Sequence, residues 1–88
     1  MRIDIFLNKV CLLKSRSMAK EACDRGKITL NGQPAKASAK VRSGDRIVID
    51  LTVRITELTI IQIPQRTVSR KNAPDYYDLI RDERRAVD

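Results

Sequence analysis

The chain has 88 residues with 18 Lys/Arg against 11 Asp/Glu, a formal net charge of +7. That is room for one small domain with a modest core and a surface suited to a polyanion. It holds no histidine and only two cysteines, Cys11 and Cys23, with no CxxC spacing and no apolar run near the ~20 residues of a membrane span; this excludes imidazole catalysis, a histidine or zinc metal site, a disulfide framework and a membrane helix.

Ile3, Phe6, Leu7 and Val10 recur at i, i+3, i+4 and i+7, one face of a short helix. Arg2 and Lys9 flank that stripe, and Asp4 lies in the first turn, where the helix dipole favours a carboxylate. After a break near Leu13-Lys14, Ser15 is a good N-cap for a second helix from Arg16 to about Arg25. Met18, Ala19, Ala22 and Cys23 are its expected buried side, and Gly26 fits the stop. Both cysteines read as reduced, partly buried small hydrophobes.

Lys27 to Leu30 predicts a strand, and Asn31-Gly32 is a tight-turn signal. Gln33 to Val41 reads as a loop with room for one short strand, and Ser43-Gly44-Asp45 as a second turn. Alternation through Ile47, Ile49 and Leu51 predicts a strand, and Val53 to Ile63 is β-rich up to Pro64. The turn between them falls somewhere from Leu51 to Thr56. A polar connector, Gln65 to Lys71, leads to Asn72-Ala73-Pro74-Asp75, which carries helix-start chemistry. Tyr76, Leu79 and Ile80 would give that short C-terminal helix an apolar side, with a fraying charged end from Arg81 to Asp88. The order predicts an α+β fold: two N-terminal helices packed on a small, mainly antiparallel sheet, then a short helix. The domain spans 1–64, and 65–88 form the connector and helical tail.

The charge is uneven. Residues 1–50 hold 11 Lys/Arg against 5 Asp/Glu, and residues 51–88 hold 7 against 6. Arg2, Lys9, Lys14, Arg16 and Lys20 fall on or beside the exposed helix faces, with Ser15 and Ser17 among them. Backbone N–H groups at the start of the second helix, arginine and serine hydroxyls are phosphate and 2′-OH chemistry. Lys27, Asn31, Lys36 and Lys40 extend this patch across the hairpin and loop. Aromatic residues are 3% of the chain, too few for a base-stacking platform, so folded RNA is the expected ligand. No glycine-rich phosphate loop is present, and the Ser–Lys neighbours Lys14-Ser15 and Ser17-Lys20 read as a capping serine and solvated lysines ahead of a nucleophile–base pair, so no catalytic residue and no cofactor are expected.

The first fifty residues resemble the RNA-binding domain named after ribosomal small-subunit protein S-four. The pattern R-x-D-x-F-L stands as Arg2, Asp4, Phe6 and Leu7; R-S-x-A as Arg16, Ser17 and Ala19; G-x-I-x-x-N-G as Gly26, Ile28, Asn31 and Gly32; and G-D-x-I as Gly44, Asp45 and Ile47. Larger members join this domain to catalytic ones. The whole chain is similar to the stand-alone bacterial subgroup with the fifteen-kilodalton heat-shock protein and the ribosome-quality-control P protein. That resemblance implies an S-four-like fold and a cytoplasmic, monomeric, non-enzymatic factor on free large ribosomal subunits that retain peptidyl-tRNA. Its partners would be ribosomal RNA, tRNA and a nascent-chain tailing factor, with Arg2 and Arg16 at matching RNA-contact positions. Cys11 departs from the pattern, since relatives often carry a basic residue there. The alternative is an RNA-binding subunit or remnant of an RNA-modifying enzyme such as a pseudouridine synthase. A DNA-binding regulator using the second helix is a third reading, disfavoured because no dimerisation seam is visible.

Overall fold

In the computed structural model, which describes residues 1–85, the predicted apolar stripe forms helix α1 (Ile3–Lys9). Ile3, Phe6, Leu7 and Val10 are all buried. Helix α2 (Arg16–Asp24) starts as its sequence predicts, with Ser15 Oγ accepting the Met18 N–H at 3.1 Å. It ends in a Schellman motif: Lys27 N–H donates to Ala22 O at 2.9 Å and Gly26 N–H to Cys23 O at 3.0 Å. Gly26 takes the left-handed φ of +71° that this motif requires. Met18 departs from expectation. It is 44% exposed while Ala19, Ala22 and Cys23 are buried, because the small residues bring α2 close to its neighbours and Met18 falls just beyond that contact.

The end of α1 repeats the same motif with an unusual residue. Leu12 N–H donates to Leu7 O and Cys11 N–H to Asn8 O, each at 3.0 Å, and Cys11 takes the left-handed position at φ 61°. Cys11 is exposed, not partly buried as its residue type suggested; Cys23 is buried. A β-carbon at that φ costs about 1–2 kcal/mol, offset in a glycine variant by about 0.5–1 kcal/mol of added chain entropy. Cys11→Gly is therefore expected to raise the urea midpoint slightly; a lower midpoint would mean that the weak Cys11 Sγ contact to Val68 O, at 3.5 Å, outweighs the relieved strain.

Five strands form one antiparallel sheet: β1 (Ile28–Leu30), β2 (Gln33–Pro34), β3 (Arg46–Asp50), β4 (Arg54–Ile60) and β5 (Tyr77–Arg84), in the spatial order β2-β1-β3-β4-β5. Asn31 (φ 52°) and Gly32 (φ 85°) make the tight β1–β2 turn. The β3–β4 turn closes between Leu51 and Arg54, which exchange backbone hydrogen bonds. Ile28, Ile47, Ile49, Leu58 and Ile60 join α1 and α2 in one core. Opposite them, Thr29, Val48 and Glu57 share the other face by register.

Among the described residues the expected C-terminal helix is absent. Asn72-Ala73-Pro74-Asp75 does start a helical turn, a 3-10 turn over Ala73–Tyr76, but the chain then extends into β5. The fraying expected from Arg81 is replaced by strand as far as Arg84, and residues 86–88 lie outside the described residues. Eight residues make a marginal helix in isolation, whereas the free edge of β4 offers a complete row of backbone partners. Cross-strand charges reinforce that choice: Arg54 pairs with Asp82, Glu57 with Arg81 and Asp50 with Arg85. A bulge at Glu57/Leu58 interrupts the ladder, and Leu79 and Ile80 are about half exposed on β5.

The Arg54 guanidinium, by hydrogen bonding and charge, holds the Asp82 carboxyl below its ordinary value of 3.8, with Thr56 adding a bond. A depressed acid stabilises the fold above its unfolded pKa, and that contribution is lost as pH falls through the folded value. Cross-strand contacts of β5, followed by proton NMR, should therefore weaken below about pH 4, ahead of those between α1 and α2. Loss of both together would show that β5 has no separate acid weakness.

Candidate nucleic-acid interface

Asp4 is a carboxylate buried to 2% exposure in a basic protein. Burying that charge is costly unless it is paired and hydrogen-bonded, and three groups satisfy it. Arg2 forms a fork, Nε to Oδ1 at 3.2 Å and Nη2 to Oδ2 at 3.0 Å; Ile5 N–H donates to Oδ1 at 2.8 Å; and Arg16 Nη2 stands 3.7 Å from Oδ2. Arg2 immediately precedes α1 and Arg16 opens α2, so one buried acid ties together the starts of both helices. The arginine side chains remain 38% and 55% exposed. Arg2 is held by two hydrogen bonds to Asp4 and Arg16 by a longer ion pair, and both side chains keep solvent-exposed surface.

The loop after β2 completes this cluster. Ile3 N–H donates to Ala39 O at 2.8 Å, Val41 N–H to Met1 O at 2.9 Å, and Arg2 pairs with Lys40 in an isolated antiparallel bridge. Lys40 thereby sits beside Arg2, and Lys36 lies on the same loop, exposed. Ser17 and Lys20 are exposed on α2, one turn of which separates Arg16 from Lys20. Ser15 is occupied as the cap, so its hydroxyl accepts from Met18 while the N–H groups of Arg16 and Ser17 remain without a partner among the described residues.

Other predicted residues lie apart from this centre. Lys9 is half-buried at the far end of α1, and Lys14 is exposed in the α1–α2 connection. Lys27 follows the opposite end of α2, beside Leu51 and Thr52. Asn31 has both ends of its amide engaged within the fold: it donates to Asp45 Oδ1 at 3.1 Å and accepts from Arg46 N–H at 2.9 Å. That geometry locks the β1–β2 turn to β3.

Ion pairing is uneven across the cations. Among the described residues, Lys9, Lys14, Lys20, Lys27, Lys36 and Lys40 form no ion pair, whereas Arg46, Arg54 and Arg81 on the sheet and Arg85 just after it are each matched by Glu57, Asp82 or Asp50, and Arg84 is not. Unpaired cations thus gather on the helices and their adjoining loops, and they recur in the connector at Arg66, Arg70 and Lys71 and at Arg84 of β5. The sequence reading missed two features. Asp4 reads from the sequence as a helix-dipole carboxylate and a member of the R-x-D-x-F-L pattern, and its burial between Arg2 and Arg16 is not read there. Arg42, exposed and also without an ion pair, follows Lys40 and Val41 and was passed over.

A family model described as the S4 domain matches residues 1–47. The chain belongs to the S4 domain family. The matched stretch holds both helices, the Asp4 cluster and the loop with Lys36 and Lys40; β4 and β5 lie beyond it. This S4 protein is 37% identical over 83 residues to a protein of Halalkalibacterium halodurans named RQC P-site tRNA stabilizing factor, covering 94% of this chain and 93% of the relative. It is 46% identical over 77 residues to a Helicobacter pylori protein of the same name, covering 86% and 92%. Vibrio cholerae heat shock protein 15, whose structure is described as trimeric, superposes with a TM-score of 0.83 at 28% identity, covering 90% of this chain and 80% of that one. The solution structure of hypothetical protein HP1423 gives 0.78 at 43% identity, covering 94% and 100%. The S4-like fold expected from the sequence is thus shown, with β5 in place of the terminal helix.

Proposed function

We propose that this S4 protein is a non-catalytic factor that binds structured RNA, namely 23S rRNA and tRNA on free large ribosomal subunits that retain peptidyl-tRNA after stalling. The observation that carries the reading is the exposed arginine pair organised by Asp4, with unpaired Lys20, Lys36 and Lys40 on the adjoining helix and loop, on a chain similar along nearly its whole length to proteins named for stabilizing P-site tRNA. Arg2, Arg16, Lys20, Lys36 and Lys40 form the centre of the RNA surface, with Lys9, Lys14, Ser15, Ser17 and Lys27 around it; Asn31 holds the adjoining turn. The protein acts as a monomer in the cytoplasm, alongside a nascent-chain tailing factor, and its RNA-binding unit spans 1–64.

Sucrose-gradient sedimentation of the tagged protein from its own cells, at low and high salt with the co-migrating RNA sequenced, tests this. Salt-sensitive migration with free large subunits carrying tRNA is expected. With about four to six phosphates neutralised, log K should fall by roughly 0.7–0.9 per phosphate for each decade of salt. Migration at the top of the gradient without rRNA or tRNA would overturn the ribosomal assignment.

A further inference from the structure

The end of α1 and the α1–α2 connection, within the segment matched by the family model, and Arg70, Ala73 and Tyr77, beyond it, line an open cleft of about 380 Å³. That is at the small end of the range that holds small ligands, roughly 300–1,000 Å³. Its cationic residues are Lys14, from the α1–α2 connection, and Arg70, from the connector. Neither forms an ion pair among the described residues. Leu12 and the half-buried Tyr77 give the lining an apolar part. Asn8 also lines the cleft; its amide donates one bond to Leu13 O at 3.3 Å, and its side-chain oxygen has no partner among the described residues.

An apolar wall, an aromatic ring, an amide oxygen free to accept and two unmatched cations are the complement of a single nucleotide. The base is apolar on its faces and carries hydrogen-bonding edges, and the flanking phosphates are anionic. We propose that this cleft receives one unstacked nucleotide of the bound RNA, with Lys14 and Arg70 on its phosphates and Tyr77 and Asn8 on its base. The proposal rests on the RNA-binding reading and extends the RNA footprint beyond the two helices to the connector. It also separates two adjacent cations: Arg70 lines the cleft and Lys71 does not.

Cys11 supplies a built-in reporter. It is exposed and lines the same cleft, while Cys23 is buried and burial pushes its thiol pKa up, with Asp4 and Asp24 adding to the shift. Alkylation of Cys11 by N-ethylmaleimide, followed by mass spectrometry with Cys23 as internal reference, reads occupancy in the full-length protein. Uridine or adenosine monophosphate at millimolar concentration is expected to slow Cys11 alkylation several-fold, and inorganic phosphate at equal ionic strength is not. Arg70→Ala should remove most of that protection and weaken binding of bulk tRNA by about five- to tenfold. Lys71→Ala should leave both within twofold of the unaltered protein. Tyr77→Leu, which keeps apolar volume, should lower protection without changing the salt dependence of tRNA binding.

Equal protection by phosphate and by nucleotide, or none by either, would overturn the cleft assignment. So would equal losses of tRNA affinity in Arg70→Ala and Lys71→Ala, which would mark a diffuse electrostatic surface. If tRNA binding stays tight and sensitive to Arg16 while the cleft outcomes fail, the RNA-binding reading stands without the cleft. If the unaltered protein binds no structured RNA, that reading fails first.

Discussion

Arg16→Ala is expected to weaken binding to structured RNA by about 1–3 kcal/mol, the range for a charge-assisted contact. Its effect should exceed that of any single lysine change on the same surface, for a geometric reason. A lysine offers a point charge on a flexible stem, whereas Arg16 is a planar fork whose inner edge approaches Asp4 Oδ2 at 3.7 Å. Pre-orientation reduces the entropy lost on engaging a phosphate. Arg16→Lys keeps the charge and should recover only part of the loss, and the fold should stay intact because the side chain is 55% exposed. Filter binding or fluorescence anisotropy at fixed salt checks both variants. Full recovery by lysine would mean that charge alone matters at this position.

Asp4→Ala is expected to act on stability and on recognition at once. It removes the acceptor for Arg2, Arg16 and the Ile5 N–H. Breaking a fully buried pair costs about 3–5 kcal/mol because a charge is stranded. Here the stranded arginines reach solvent, so the loss should be nearer 1–3 kcal/mol. In a domain of this size each kcal/mol lowers Tm by roughly 4–8 °C, which thermal denaturation followed by circular dichroism resolves easily.

The recognition effect of the same change has an instructive sign. Asp4→Ala makes the site more positive, so a purely electrostatic surface would bind RNA more tightly. If Asp4 positions the two arginines, affinity for structured RNA near physiological salt should instead fall several-fold, while binding to an unstructured polyanion such as heparin holds or rises. In the Arg16→Ala background the additional loss from Asp4→Ala should shrink, since the two changes remove one arrangement. Tighter RNA binding by Asp4→Ala would assign the acid to stability alone.

Local chemistry made much of this protein legible from its residues. The 3.6-residue stripe of Ile3, Phe6, Leu7 and Val10, the Ser15 cap, the Gly26 stop and the Asn31-Gly32 turn each involve groups a few residues apart. Their energetics are therefore nearly complete within the segment itself. The S4 signature was readable for the same reason: its glycines and Asn31 answer to turns and its apolar positions to the core. The unequal charge of the two halves was visible by counting, and it pointed to the side that carries the unmatched lysines.

What the sequence by itself determined was the two helices, the small sheet and the cationic half, because periodicity, caps, turns and charge need no distant partner. Only the tertiary structure decided what depended on one. Tyr77 to Arg84 carry helix-start chemistry just before them, yet they become β5 because the β4 edge supplies backbone partners and Arg54 supplies a counter-charge for Asp82. Met18 fits the apolar side of α2 and remains exposed because neighbouring elements do not reach it. Asp4 sits in a favourable first turn, but its role comes from Arg16, twelve residues later and brought to it by the fold. Arg70 and Lys14 face one cleft only because β5 and the 3-10 turn carry the connector back to the α1–α2 connection. A strand, a buried ion pair and a cleft are all properties of two segments at once, and folding is what chooses the second segment.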